Sequence, residues 1–275
     1  MRVVETVAAV RAELEGAGRP LGLVPTMGGL HAGHVALLRA ARAQCATSVA
    51  SLFVNPTQFA PGEDYASYPR NRPGDLAIME QEGVDLVYAP TVDEMYPEGF
   101  DTTVSVGRLA RRLEGASRPG HLEGVATVVC KLISTVRPHK AYFGRKDAQQ
   151  LLVVRRMVED LSLGAEIVAV PTVREPDGLA LSSRNFNLGE AERRSSLGLY
   201  EGLCAARSIR AEGGREAGQI RNAMRRAMRE RSVVVDYVSV ADPNTLAELE
   251  TVDGPALALV AGFVGKTRLI DNESI

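Results

Sequence analysis

Residues 21–34 read LGLVPTMGGLHAGH, and the order of residue types in this stretch decides the fold. The run Leu21 to Pro25 is short and apolar, as a strand buried on both faces would be. Gly28 and Gly29 then supply a tight turn, and a helical period follows near 33–44. Strand, glycine turn and helix form the first half of a β-α-β unit. His31 and His34, three residues apart where the helix starts, bring both imidazoles near one face, beside N–H groups that favour an anion. Imidazole donates to phosphoryl oxygens, and as imidazolium it stabilises charge growing on phosphorus. Met27 to His34 therefore reads as a phosphate site. The competing reading is a tight turn with incidental histidines, although two of the chain's four histidines fall here.

Outward from this stretch the same alternation recurs. A helix near 4–16 precedes it; a buried strand at Ser48–Val54, a helix near 74–82 and a strand at Val84–Tyr88 follow. Then come a helix near 122–136, a strand at Ala141–Phe143, a helix near 147–161 and a strand at Glu166–Val170. Strands alternating with helices predict a doubly wound α/β domain with a parallel, Rossmann-like sheet. After Pro171 the pattern changes to two helices near 190–211 and 215–230, then strands at 233–240, 256–263 and 267–271. The expected division is an α/β domain over 1–172 and a smaller α+β domain over 173–275. The longest loops, near 55–73 and 89–121, are of a length that is often functional.

Three more segments carry polar residues at strand ends. In FVNPTQF, Gln58 leaves the sheet at its carboxyl edge, where such sheets bind ligands, and its amide suits a small polar substrate; a capped turn explains it equally well. In YFGRKDAQQ, Lys146 can pair with phosphate, Asp147 can cap a helix or meet a ribose hydroxyl, and Gln150 follows one turn on; an ordinary N-cap with an exposed lysine is the alternative. In VREPDGLALSSRN, Ser182, Ser183 and Arg184 form a mobile-looking cluster able to hold triphosphate oxygens, or else a serine caps the helix near 190.

Composition narrows the class. The chain has 275 residues, 45% of them hydrophobic, and 32 basic against 34 acidic residues give a net charge of −2, which predicts neither a nucleic-acid groove nor a polybasic membrane surface. Arg225, Arg226, Arg229 and Arg231 read as a solvated helix face. Cys45, Cys130 and Cys204 are far apart with no zinc spacing, and charges at Arg2, Glu5, Arg11, Glu13 and Glu15 interrupt any leader-like apolar core. A cytoplasmic location is expected.

In order, PTMGGLHAGH, FVNPTQF with DYASYPR, LEGASRPGHLEGVATVV, FGRKDAQQL with RRMVEDL, and VPTVREPDGLALSSRN resemble the pantoate–β-alanine ligase family of the HxGH nucleotidyltransferase superfamily. The first and last segments are shared with the superfamily; the middle ones are particular to the ligases. The resemblance implies ATP-dependent formation of pantoyl adenylate and its capture by β-alanine, in a homodimer whose second domain lids the site. It also implies roles. Met27, Gly28, Gly29, Leu30, His31, Ala32, Gly33 and His34 would bind ATP, as would Gly144, Arg145, Lys146, Asp147, Val173, Leu181, Ser182, Ser183 and Arg184. His31, His34, Lys146 and Arg184 would assist the chemistry, Gln58 and Gln150 would hold pantoate, and Gln58 would also meet β-alanine. Magnesium would accompany ATP, with Asp75 the nearest acidic helper.

Four positions depart from the family pattern: Gly29 for Ala, Leu181 for Met, Ala148 for Tyr and Arg145 for Glu. Only the last reverses a charge, beside Lys146. The competing functions are a nucleotidyltransferase acting on a phosphate substrate, which needs no paired glutamines, and a nucleotide-binding scaffold, which turns nothing over.

Overall fold

The computed structural model describes residues 1–275. Its first unit, Met1–Arg145 with Gln149–Pro171, carries strands β1 (Arg2–Val4), β2 (Leu21–Thr26), β3 (Thr47–Leu52), β4 (Leu86–Tyr88), β5 (Lys140–Gly144) and β6 (Glu166–Val170). Between them run helices α1 (Val7–Leu14), α2 (Ala32–Gln44), α3 (Arg72–Gln81), α4 (Val92–Met95), α5 (Glu114–Ser117), α6 (His121–Val136) and α7 (Ala148–Asp160). The strands pair in the order β1-β4-β3-β2-β5-β6, all parallel. Alternate residues along each strand face opposite sides. Leu23, Val49 and Leu86 join one core with Val125, Ile133 and Met157, whereas Val24, Ala50 and Val87 join another with Leu38, Ala41 and Met79. Helices thus cover both faces, which is what makes the strands read as nearly continuous apolar runs. This is the doubly wound α/β class that the alternation predicts.

The strand order positions the candidate site. β2 lies between β3 and β5, so the winding reverses beside it, and ligands of open parallel sheets bind outside the carboxyl ends at such a reversal. The chain leaves β2 into MGGLHAGH, β3 into FVNPTQF and β5 into RKDAQQ.

Two local expectations are revised. Residues 2–4 form an edge strand, and the first helix starts only at Val7, where the Thr6 hydroxyl accepts the Ala9 N–H at 3.2 Å. The span 89–121 is more than a loop, since it holds α4, a 3-10 turn at Gly107–Arg111 and α5. Buried Gln149 fixes part of it, accepting from the Glu114 N–H (2.9 Å) and donating to the carbonyls of Leu109 and Arg112 (2.7 Å each).

The second unit, Lys146–Ala148 with Thr172–Ile275, contains α8 (Glu190–Ala211), α9 (Ala217–Glu230) and the antiparallel sheet β7 (Val234–Ala241), β8 (Leu257–Val264), β9 (Thr267–Ser274). Leu199 and Leu203 of α8 and Ile220, Met224 and Met228 of α9 share a core with Val240, Ala258 and Val260 of the sheet. No helix is long and apolar enough to cross a membrane.

Candidate active site

In the first unit, the ends of β2 and β3 are locked together before the glycines begin. Thr26 donates its hydroxyl to the Ser51 carbonyl at 2.6 Å, and its N–H goes to the Ser51 hydroxyl at 3.2 Å. Gly28 and Gly29 then turn the chain with φ of +88° and +62°. A Cβ on Gly28 would lie 2.8 Å from Asp75 Oδ2 and 3.0 Å from Leu52 Cδ1, so glycine is required there for space as well as for backbone conformation. Asp75, at the start of α3 and 4% exposed, accepts the N–H of Gly29 at 3.0 Å and of Leu30 at 2.8 Å. Asp75, named above as an acidic helper for magnesium, braces the loop. Both loop amides therefore point at a protein carboxylate.

The histidines cap α2. His31 Nδ1 accepts the Gly33 N–H at 3.1 Å, and His34 Nδ1 accepts the His31 N–H at 3.3 Å, with ring centroids 4.2 Å apart and tilted by 49°. This reciprocal capping box uses imidazoles where hydroxyl and carboxylate groups are usual. An Nδ1 that accepts a hydrogen bond carries no proton, so each neutral ring holds its proton on Nε2. The geometry thus fits the neutral donor, one of the two roles that the sequence leaves open for these imidazoles.

Gln58 closes a 3-10 turn, Pro56–Gln58, and is 7% exposed. Its amide is oriented on both sides: Asn55 Nδ2 donates to Oε1 at 3.1 Å, while Nε2 donates to Met27 Sδ at 2.9 Å. Sulfur is a weak acceptor, which leaves this N–H₂ group disposed to donate to a carboxylate or hydroxyl. Asn55, 1% exposed, also donates to the Gly124 carbonyl and accepts from the hydroxyls of Thr57 and Tyr96. The Gln58 carbonyl accepts from His121 Nδ1 at 2.8 Å and Arg118 Nη2 at 3.5 Å, and Arg118 is clamped by Glu63 at 2.7 and 2.8 Å. Burial, reinforced by the neighbouring guanidinium, lowers His121 to about 4, so its ring is neutral and Nδ1 holds the donated proton. Against its own burial, Glu63 is held below its ordinary value by Arg118. A Cβ on Gly124 would fall 2.3 Å from the Thr57 carbonyl oxygen and 2.7 Å from Gln58 Cα.

Sequence reading named Gln58 but gave no role to Asn55, Arg118, His121 or Gly124. The i, i+3 pair of amides in NPTQ was the available signal for Asn55. The other three come from α6 and the turn before it, far along the chain. Gln150, half-buried on α7, makes no hydrogen bond to Gln58 or Met27, while its neighbour Gln149 is consumed by the 107–114 segment.

In the second unit, Lys146 Nζ lies 3.2 Å from Asp147 Oδ1, and the Lys146 carbonyl accepts from Asn272 Nδ2 at 2.7 Å. Arg145 is exposed. The segment 173–181 is a hairpin rather than a loose strap: Leu181 N–H donates to the Val173 carbonyl (3.0 Å), Arg174 bridges Ala180, and Gly178 turns at φ +98° against the Tyr200 ring. Ser182 then caps the 3-10 turn Ser183–Asn187, accepting from the Arg184 N–H at 3.3 Å. The helix near 190 is capped separately, by Glu192 accepting the Gly189 N–H at 2.9 Å.

The sequence model of the pantoate-beta-alanine ligase family matches residues 2–274. The chain belongs to that family. A pantothenate synthetase of Roseiflexus sp. (strain RS-1) is 54% identical over 273 residues, covering 99% of this chain and 98% of its own. The crystal structure of pantothenate synthetase from Thermus thermophilus superposes with a TM-score of 0.95 at 51% identity, covering 99% of each chain. That of pantoate-beta-alanine ligase from Francisella tularensis, complexed with beta-gamma ATP and beta-alanine, has a TM-score of 0.83 at 30% identity, covering 99% of this chain and 97% of its own.

For magnesium the residues present form no cage of their own. No group of three or more histidine, cysteine, aspartate or glutamate side chains is arranged to hold a metal, and both Asp75 oxygens face loop amides.

Proposed function

We propose that this chain condenses pantoate with β-alanine, using ATP, in two steps. The pantoate carboxylate attacks the α-phosphorus; one of its oxygens forms the new P–O bond as pyrophosphate leaves with the electrons of the old one. The amine of β-alanine then attacks the acyl carbon of pantoyl adenylate, AMP departs with the C–O electron pair, and the nitrogen gives up its extra proton to water. The observation that carries this reading is the orientation of His31 and His34, whose Nδ1 atoms are tied to the backbone so that each Nε2–H is a fixed donor. Donors that are already oriented stabilise charge on phosphoryl oxygens without reorganising during the step.

In this reading Met27 to His34, Gly144 to Asp147, Val173 and Leu181 to Arg184 bind ATP, with Lys146 and Arg184 adding positive charge at the phosphates. Gln58 and Gln150 hold pantoate, and Gln58 also meets β-alanine. The Gln58 amide, aimed by Asn55 and backed by a sulfur it can readily leave, supports that assignment. No side chain needs to become a nucleophile, since the substrate carboxylate supplies one. Magnesium enters as part of the substrate, on the phosphate oxygens of ATP. We further assign nucleotide and pantoate binding to residues 1–172, a lid role to 173–275, and a cytoplasmic homodimer as the working form; the free thiols of Cys45, Cys130 and Cys204 fit a reducing compartment.

The test is product analysis. Pantoate and ATP together are expected to release pyrophosphate, with AMP and the amide appearing once β-alanine is added. Pyrophosphate release that ignores pantoate would point to the nucleotidyltransferase alternative and overturn the reading.

A further inference from the structure

Lys146 follows a strand of the first unit, yet it packs with the second, where the last strand of the chain meets it. Asn272 on β9 is 8% exposed and donates from Nδ2 to the Lys146 carbonyl at 2.7 Å. Asp271, its neighbour, is 4% exposed and sits beneath this contact. One oxygen, Oδ1, accepts the Asn272 N–H at 2.8 Å and Arg174 Nη2 at 3.1 Å, while Oδ2 accepts Arg174 Nη1 at 2.6 Å. Arg174 also donates to the Gly178 carbonyl at 3.0 Å and lies 4.9 Å from the centre of the Tyr200 ring. A buried, two-pronged ion pair of this kind has little freedom, because loosening it would leave a charge unpaired away from water. Burial raises Asp271, opposed by Arg174 and by the charge of Lys146, so the ammonium is close enough to be felt.

We infer that Asn272, fixed from below by the Asp271–Arg174 pair, is a positioning residue for adenylation: it sets the backbone of Lys146 so that the ammonium meets the triphosphate. A lysine side chain has many rotamers, and its reach depends on where its own backbone is held. The Asn272 amide donates to that backbone, so an effect that depends on Lys146 separates positioning of the lysine from the other contacts of Asn272. This inference rests on the proposed reading of Lys146 as a phosphate-binding cation.

The experiment is a double-mutant cycle on the full chain, read in two half-reactions: single-turnover pyrophosphate release from ATP and pantoate, and capture of preformed pantoyl adenylate by β-alanine. Asn272→Ala is expected to slow adenylation roughly 10-fold and raise the KM for ATP, with capture changed less than about 2-fold. In a Lys146→Ala background the same substitution is expected to change adenylation less than about 2-fold, because the group it positions is gone. Asn272→Asp, which keeps the size but cannot donate, is expected to behave like Asn272→Ala. Equal losses in both half-reactions, a full effect that persists without Lys146, or failure of both Asn272 variants to fold would make the contact purely structural and overturn the inference. Wild-type adenylation by Lys146→Ala would instead overturn the reading of Lys146. A loss in Lys146→Ala with none in Asn272→Ala would overturn the inference alone.

Discussion

At the scale of single residues, the role proposed for His31 and His34 turns on which nitrogen of each imidazole carries the proton. The three-residue spacing of His31 and His34 was legible in sequence, and so was their place at the start of a helix. Their tautomer was not, because it depends on two backbone N–H groups reaching Nδ1. Asp75 shows the same limit. The family resemblance offers it as a helper for magnesium, and what sequence does not show is that its lone pairs are directed at the N–H groups of Gly29 and Leu30, more than forty residues earlier. The His34 substitutions separate the two nitrogens. His34→Ala is expected to slow single-turnover adenylation about 10²-fold in a folded protein, as loss of one oriented donor does elsewhere. His34→Asn, which can keep an acceptor near Nδ1 but lacks the reach of Nε2, is expected to lose as much. His34→Gln, which extends an amide donor toward the Nε2 position, is expected to recover part of the rate. Equal activity of the Asn and Gln variants would remove Nε2–H from the account.

At the scale of elements, α6 is the part whose purpose the sequence concealed. Its apolar period was plain, as expected for a helix that buries Val125, Val129, Leu132 and Ile133. What could not be read was that its first turn and the turn before it hold the Gln58 backbone, through His121, Arg118 and the missing side chain at Gly124. Such contacts join positions sixty or more residues apart. The same holds for 107–117, where distant Gln149 satisfies backbone groups of the 3-10 turn and of α5. His121 makes the α6 contact measurable. With its pKa lowered from 6.5 to about 4 by burial, it binds a proton less readily in the folded chain than in the unfolded one. Its contribution is complete above about pH 6.5 and is lost as pH falls toward 4, on the order of 3 kcal/mol over that window. Denaturant unfolding at pH 7 and pH 4.5 is expected to show wild type losing more stability than His121→Gln. Equal losses would mean that the ring is not buried as a neutral donor.

At the scale of the whole molecule, the chain order of apolar runs and helical segments was sufficient to predict a parallel, doubly covered sheet and a smaller α+β part after Pro171. Periodicity serves well there because burial on both faces acts on every strand at once. It misjudged the edge: β1 has only three residues and is exposed along much of its length, so little in its composition distinguishes it from the helix that follows. The reversal of strand order beside β2 brings the loops after β2 and β5 to one edge, the arrangement from which an activating enzyme can be built. Attack of a substrate carboxylate on the α-phosphorus of ATP is tested most directly by following oxygen. With pantoate labelled by ¹⁸O in its carboxylate, unlabelled ATP and β-alanine, turnover is expected to yield AMP carrying one ¹⁸O atom and pyrophosphate carrying none. AMP without label, or ADP and phosphate in place of AMP and pyrophosphate, would contradict the account.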